Sequence, residues 1–215
     1  MTDPGLRERK KARTRQVIAD AAARLFAQRG YEQVTVGDVA REAEVSEQTV
    51  YNYFQTKDQL VTDRDQLIQD ELGRLLRTRA PGTTPAAAIR EFVLDTVEGI
   101  RRIPAGQWRG ELGYLAAISP TVHRLALELS DRQATALATA IAETDSVAPE
   151  IAKLRGIALA GVFQIIITEA GRRAREGQSQ NQIADELRPA IEAVLDDLDA
   201  WLTSATDQHN RNRAT

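Results

Sequence analysis

Apolar residues recur at three- and four-residue spacing along most of this chain, and no stretch shows the strict alternation of a half-buried strand. The first apolar stripe contains Val17, Ile18, Ala21 and Leu25, and Gly30 ends it. Prolines stand at four later points where the first turn of a helix accepts them, namely Pro85, Pro104, Pro120 and Pro149. This pattern predicts an all-α fold.

Capping residues predict where the individual helices begin. Thr35 has an aspartate three positions later, which is the spacing of a capping box, and Ser46 is placed to cap a helix that ends near Phe54. Thr56 predicts the start of a long helix that reaches Arg79. The later helices are predicted at 85–102, 105–117, 120–143, 149–176 and 180–204.

The residue types in the chain argue against catalysis. Among 215 residues there is no Cys and there are only 2 His, so disulfides, thiol chemistry and Cys-ligated metal sites are excluded. No HExxH, GxSxG, P-loop or GxGxxG motif occurs, and carboxylate pairs such as Asp196–Asp197 are explained by solvation. We therefore predict no catalytic residues, no metal and no cofactor.

The apolar segments also bear on location. The amino terminus is polar and basic, so no secretory signal is predicted. The longest apolar run, Ile157 to Ile167, contains Gln164 and is shorter than the ~20 residues that a membrane helix needs. A cytoplasmic protein without a membrane partner is the prediction.

Positive charge is concentrated at the amino end. The net charge is −3, but one short stretch carries six cations against a single glutamate: Arg7, Arg9, Lys10, Lys11, Arg13 and Arg15. Such an arm on an otherwise acidic protein indicates contact with a polyanion at that end. The alternative is a solvated, disordered tail.

The first three predicted helices have the lengths of a helix-turn-helix domain. In this motif the segment Thr35–Ala43 braces the segment Ser46–Phe54, and the second helix enters the major groove of DNA. Val50 and Phe54 are predicted to face the core. The amides, hydroxyls and phenols that remain on the second helix suit base edges and phosphates better than burial. A polar surface with incidental tyrosines is the alternative.

The segment Ala19–Leu60, "ADAAARLFAQRGYEQVTVGDVAREAEVSEQTVYNYFQTKDQL", resembles the amino-terminal DNA-binding domain of the TetR family of bacterial transcriptional regulators. The resemblance implies a DNA-binding domain over residues 1–56, with the basic arm, and a helical effector-binding and dimerisation domain over residues 57–215. One position departs from the family pattern, since Glu44 stands where glycine with a positive φ is usual.

The resemblance also implies the DNA-binding residues. They are Thr35, Gly37, Ser46, Glu47, Gln48, Thr49, Tyr51, Asn52, Tyr53 and Lys57. Gln48 and Asn52 suit adenine and Glu47 suits cytosine. Tyr51 and Lys57 are expected to grip phosphates and so to set the register without reading sequence.

The resemblance further implies a homodimer formed by the last two helices and a ligand cavity among the middle helices. Without the resemblance, the apolar stripes of the last two helices favour monomer core. The expected cavity wall is Phe92, Thr96, Ile100, Trp108, Leu112, Leu115, His123, Leu127, Phe163, Gln164 and Ile167. Its composition indicates an apolar or amphipathic effector. The segment that begins at Ser119 resembles the subgroup with acyl-CoA-like ligands.

Together these features predict a sequence-specific regulator of transcription. The predicted mode is a repressor that a small molecule releases from a palindromic DNA operator, with the long fourth helix as the lever. Two alternatives stay open. One is an architectural DNA-binding protein without an effector, and the other is an all-helical enzyme.

Overall fold

The computed structural model describes residues 5–63 and 65–213. These residues form nine α-helices, two short 3-10 helices and no strand, so the predicted all-α fold is confirmed. The α-helices are α1 Leu6–Arg29, α2 Val36–Glu42, α3 Glu47–Tyr53, α4 Asp65–Arg77, α5 Pro85–Arg102, α6 Leu112–Ile118, α7 Pro120–Thr144, α8 Pro149–Arg175 and α9 Gln180–Arg213. The 3-10 helices are Asp58–Leu60 and Trp108–Gly110.

The helices pack into two compact units. The first unit takes in the chain up to Asp63 together with Ile103–Leu125, and the second takes in the remainder. The division of function that we predict at residue 56 stays a prediction.

The first unit is built around the apolar stripe of α1. Ile18 and Phe26 of α1 pack with Val39 of α2 and Val50 of α3, all at most 2% exposed. Leu115, from α6, is buried in the same core. The three helices of the predicted motif therefore share one core with a later segment of the chain.

In the second unit, α9 packs against α5 and α8. The apolar stripe of α9 includes Ile183, Leu187 and Ile191, and each is at most 1% exposed within this unit. The sequence leaves this stripe open between a dimer surface and monomer core. Because the same chain already covers these three residues, they belong to the core, and the dimer assignment is wrong for them.

A buried ion network joins helix ends of the second unit. Asp145, which follows α7, accepts from Arg79 and is paired with Arg155 of α8 at 3.2 Å. By length and composition alone, α8 is apolar enough to cross a membrane. However, its buried face carries Arg155, and a β-carbon built on its Gly156 would lie 2.7 Å from the Ala138 amide nitrogen in α7. These are features of a core helix.

Three predicted helix bounds are corrected. The long helix predicted from Thr56 to Arg79 is interrupted: Thr56 does accept from the Gln59 amide at 3.4 Å, but only the 3-10 turn Asp58–Leu60 follows. α4 begins at Asp65, because Leu60 is buried in the core of the first unit and Asp63 is paired there with Arg15.

The other two corrections concern 105–117 and 180–204. The first is a 3-10 helix followed by α6, because Gly110 is pressed against the backbone of α1. The last helix does not end at residue 204, as predicted, but continues to Arg213.

Candidate nucleic-acid interface

The orientation of α3 is set by its cap and by two buried side chains. The Ser46 hydroxyl accepts a hydrogen bond from the Thr49 amide at 3.1 Å, as predicted for an N-cap. Val50 and Phe54 are 0% and 1% exposed, and the predicted inward positions are confirmed. Because these two residues face the core, the opposite side of the seven-residue helix faces solvent.

The solvent face of α3 presents two carboxamides and one phenol. Gln48, Tyr51 and Asn52 are all exposed, and Tyr51 retains 45% of its accessible surface. Gln48 and Asn52 are neighbours on one row of the helix. The side-chain amide of Gln48 donates a hydrogen bond to the side-chain oxygen of Asn52 at 3.2 Å. An adjacent pair of this kind leaves further donors and acceptors on both side chains for a base edge.

The other predicted residues of α3 are partly engaged within the protein. The hydroxyls of Ser46 and Thr49 lie 2.8 Å apart, so each already has a partner. Glu47 folds toward α2, since a β-carbon built on Gly37 would lie 2.7 Å from its carboxylate oxygen. The Tyr53 side chain is only half-buried, so its ring still reaches the surface.

The start of α2 is fixed by a complete capping box. The Thr35 hydroxyl accepts from the Asp38 amide at 3.1 Å, and the Thr35 amide donates to the Asp38 carboxylate at 3.0 Å. The bond from the Thr35 side chain, followed by that from its backbone, lowers the pKa of Asp38 to about 2. Thr35 is exposed, so the cap and the backbone beside it are accessible.

The turn between α2 and α3 contains the left-handed residue that its motif requires. Glu44 has φ 55°, and the Val45 amide donates to the Ala40 carbonyl at 2.9 Å while the Glu44 amide donates to Arg41 at 3.2 Å. These bonds form a Schellman motif. The turn therefore keeps its usual geometry with a residue that disfavours it.

Lys57 is held over an aromatic ring. Its ammonium lies 4.1 Å from the centroid of the Tyr31 ring, and the Tyr31 hydroxyl donates to the carboxylate of Asp58. Burial lowers the pKa of Lys57, and burial together with the Asp58 bond raises the pKa of Tyr31. Nothing in the local sequence pattern indicates this cluster. The phosphate contact of Lys57 stays a prediction.

Arg15 stabilises the fold of the first unit, although the run of charges in the sequence groups it with the basic arm. Its guanidinium donates to the Tyr53 carbonyl at 2.9 Å and to Asp63 at 2.6 Å, and it lies 4.5 Å from the centroid of the Phe54 ring. It thereby joins α1 to the carboxyl end of α3. Spacing along the sequence gives no signal for a contact 38 residues away.

The basic arm itself is helical from Leu6 onward. Arg7, Lys10, Lys11 and Arg13 are exposed on this first part of α1. The disordered alternative does not hold for these residues.

The predicted cavity residues fall in both units. In the second unit, the Phe92 and Phe163 rings are 6.2 Å apart between centroids, and Ile100 is buried. The side-chain oxygen Oε1 of Gln164 is buried and has no hydrogen-bond partner among the described residues. The remaining members there are Thr96 and Ile167, which are half-buried, and Leu127, which is 49% exposed.

In the first unit, the predicted cavity residues have different environments. Leu115 is 0% exposed in the core of that unit, whereas His123 is exposed on α7. Trp108 and Leu112 are half-buried. The wall assignment stays a prediction for all of them. Among the side chains that the structure describes, no group of three metal-ligating residues is assembled.

The first unit contains the segment that matches a known family. The family model described as "Bacterial regulatory proteins, tetR family" matches residues 18–63. The HTH-type transcriptional regulator TcmR of Streptomyces glaucescens is 27% identical over 151 residues, which are 70% of this chain and 62% of TcmR. The chain thus spans less than two thirds of the length of this relative.

Solved structures share the fold over most of the chain. NalD of Pseudomonas aeruginosa, described as the secondary repressor of the MexAB-OprM multidrug efflux pump, has a TM-score of 0.52 at 17% identity, over 86% of this chain and 97% of NalD. The SmeT–triclosan complex has a TM-score of 0.52 at 14% identity, over 84% of this chain and 90% of SmeT. At these identities the similarity concerns the fold alone.

Proposed function

This chain belongs to the TetR family of bacterial regulatory proteins, and from that membership we propose that it is a DNA-binding transcriptional regulator. It acts in the cytoplasm as a homodimeric repressor on a palindromic operator. An apolar or amphipathic small molecule releases it. It works by binding, without catalysis and without a cofactor.

One observation carries the DNA-binding proposal. α3 buries Val50 and Phe54 while Gln48, Tyr51 and Asn52 stay in solvent on the opposite side. A carboxamide donates and accepts at once, as the major-groove edge of adenine requires, and a phenol donates to a phosphate oxygen. An α-helix with its side chains is about 10–12 Å across, so α3 fits a major groove that is about 12 Å wide.

A second copy of this chain is the proposed partner of α8. Ile151, Leu154 and Ile165 are 42%, 50% and 40% exposed, and their spacing places them on one face with Gly161. A glycine in such a row permits close approach of another helix. On α9, the neighbouring apolar residues that keep some exposure are Val194, Leu198 and Trp201. An exposed apolar row of this kind marks an interaction surface. Pairing with the same row of a second copy, related by two-fold symmetry, would bury it.

The effector is proposed to bind in the second unit, beside Phe92 and Phe163. Aromatic and aliphatic surface there favours a ligand with an apolar body, and the unpartnered side-chain oxygen Oε1 of Gln164 favours one hydrogen-bond donor on it. SmeT, a protein of the same fold, is solved in complex with the small molecule triclosan.

Release follows from linkage between the two kinds of ligand. Half-sites about 34 Å apart require one separation of the two α3 helices. A ligand that prefers another separation lowers the affinity for DNA, and bound DNA lowers the affinity for that ligand by the same factor. The coupling free energy is commonly about 1–3 kcal/mol.

Two experiments in sequence test the proposal. The full chain is used to select duplexes from a random pool, and the selected operator is then bound to the protein in the presence of candidate apolar compounds. We expect a palindrome and at least one compound that lowers affinity for it. Equal binding of all duplexes would instead favour an architectural protein. If the protein selects a palindrome but no compound lowers its affinity for that operator, the proposed effector is contradicted.

A further inference from the structure

We propose that the first turns of α1 form a second DNA-contacting surface, which binds the phosphate backbone beside the operator half-site and reads no bases. The surface consists of Arg7 and Lys11, hereafter the basic row. The inference rests on the proposed function, because it supposes that DNA lies against α3. It adds a contact outside the helix-turn-helix.

The basic row is an ordered array of charge. α1 begins at Leu6, so both side chains project from a formed helix. Arg7 and Lys11 are four positions apart and therefore lie on one side of that helix, where both are exposed. A cation on a fixed helix loses less conformational freedom on binding than one on a disordered tail.

Arg15 determines where the row is located. It stands four positions after Lys11 on the same side of α1, and it donates to the Tyr53 carbonyl at the carboxyl end of α3. At 1.5 Å per residue, Lys11 and Arg7 lie about 6 and 12 Å farther along α1 than this contact. The row therefore lies on the side of α1 whose Arg15 contacts the carboxyl end of α3, the helix that carries Tyr51 and Asn52.

The opposite side of α1 provides the comparison. Arg9 and Arg13 stand two positions to either side of Lys11, which is about 200° around the helix. They carry the same charge but point away from the side that Arg15 turns toward α3. If only long-range attraction acted, both pairs would contribute equally to DNA affinity. If phosphates are contacted directly, only the basic row contributes.

The chemistry of the row fits phosphates rather than bases. Ammonium and guanidinium groups bind phosphate oxygens of any sequence, and such contacts set orientation and affinity. Each neutralised phosphate contributes about −0.9 to the slope of log K against log salt. Two contacts in each protomer of a dimer therefore contribute about −3 to −4.

The test compares two double variants of the full chain with wild type. Arg7→Gln with Lys11→Gln removes the basic row, and Arg9→Gln with Arg13→Gln is the control with the same loss of charge. Affinity for the selected operator and for one 30-bp duplex of random sequence is measured at several salt concentrations. Phosphates protected by wild type are mapped separately by ethylation interference, which needs no variant.

We expect the row variant to flatten the salt slope by about 3 on both duplexes, and to bind each more weakly at low salt, while the base preference is unchanged. The control is expected to shift the slope by less than about 1. Interfering phosphates outside the base-reading half-site are expected for wild type.

Unchanged slopes in the row variant, or equal changes in both variants, would overturn the inference even if wild type selects an operator. Absence of interfering phosphates outside the half-site would overturn it as well. If wild type binds all duplexes alike and only the row variant loses slope, the proposed operator fails; phosphate contact by the basic row is then supported, and its position beside a half-site is overturned. If wild type binds no duplex, both fail.

Discussion

Gly110 lies against the backbone of Ala23 so closely that a β-carbon built on Gly110 would be 2.6 Å from the Ala23 carbonyl carbon. We predict that Gly110→Ala destabilises the protein by about 1–3 kcal/mol, because backbone atoms of α1 must move to admit the methyl group. Urea unfolding measures the loss. Gly106→Ala is the matched control, since a β-carbon there meets nothing within 4 Å. Equal stability of the two variants would refute the close contact.

Glu44 has the left-handed φ of 55° that ends α2. A residue with a β-carbon pays about 1–2 kcal/mol in that conformation, and glycine returns part of this through its freer unfolded chain. We therefore predict that Glu44→Gly raises the free energy of unfolding by about 0.5–1 kcal/mol. Glu44→Ala removes the same charge but keeps the strain, so it is expected to show no gain in the same urea titration. A gain shared by both variants would assign the effect to charge.

Asp38 links the capping box of α2 to pH. Its pKa in the folded chain is lowered to about 2 from an ordinary 3.8, so its stabilising effect is full above pH 5 and is lost as pH falls through 2. We predict that the gap in urea midpoint between wild type and Asp38→Asn is largest near pH 6 and shrinks steadily below pH 4. A gap that stays constant from pH 6 to pH 3 would contradict this linkage.

Leu154 lies in the exposed row of α8 and is 50% exposed within one chain. We predict that Leu154→Glu weakens the homodimer by about 100-fold or more, because two glutamates would be buried across a symmetric interface. Sedimentation velocity at micromolar concentration measures the state. Leu67→Glu places the same charge at a leucine that is 70% exposed on α4, and this control is expected to remain dimeric. A wild-type monomer would remove α8 as the dimer surface.

Local signals in the sequence predict much of the reading helix. The caps at Thr35 and Ser46 form as their types and spacing predict, and Val50 and Phe54 are buried as the apolar period requires. These features depend on residues within one or two turns of each other. For this reason they can be inferred before any long-range contact is known.

Long-range contacts account for what the sequence does not predict. The helix expected from Thr56 stops at Leu60, because Leu60 is buried in the first unit and Asp63 is paired with Arg15. Arg15 itself belongs to a basic run in the sequence, and only its contact with Tyr53 makes it part of the fold. In both contacts, Arg15–Asp63 and Arg15–Tyr53, the two residues are far apart in the sequence, so no local pattern indicates them.

Apolar periodicity also does not indicate whether an apolar stripe is buried by the same chain or by a second copy. Ile183, Leu187 and Ile191 repeat on α9 as regularly as the exposed row repeats on α8. The first set is covered by the same chain, and the second is half exposed in it. Burial is a property of the packed unit, so the distinction needs coordinates.

We propose that the exposed carboxamides of α3 read bases, whereas its phenol only binds phosphate. The most direct measurement is the affinity of wild type, Asn52→Ala and Tyr51→Phe for the selected operator and for each single base-pair change in it. We predict that Asn52→Ala abolishes about 1–3 kcal/mol of preference at one position per half-site, whereas Tyr51→Phe weakens binding to every duplex alike. A selectivity profile that Asn52→Ala leaves unchanged would contradict the account.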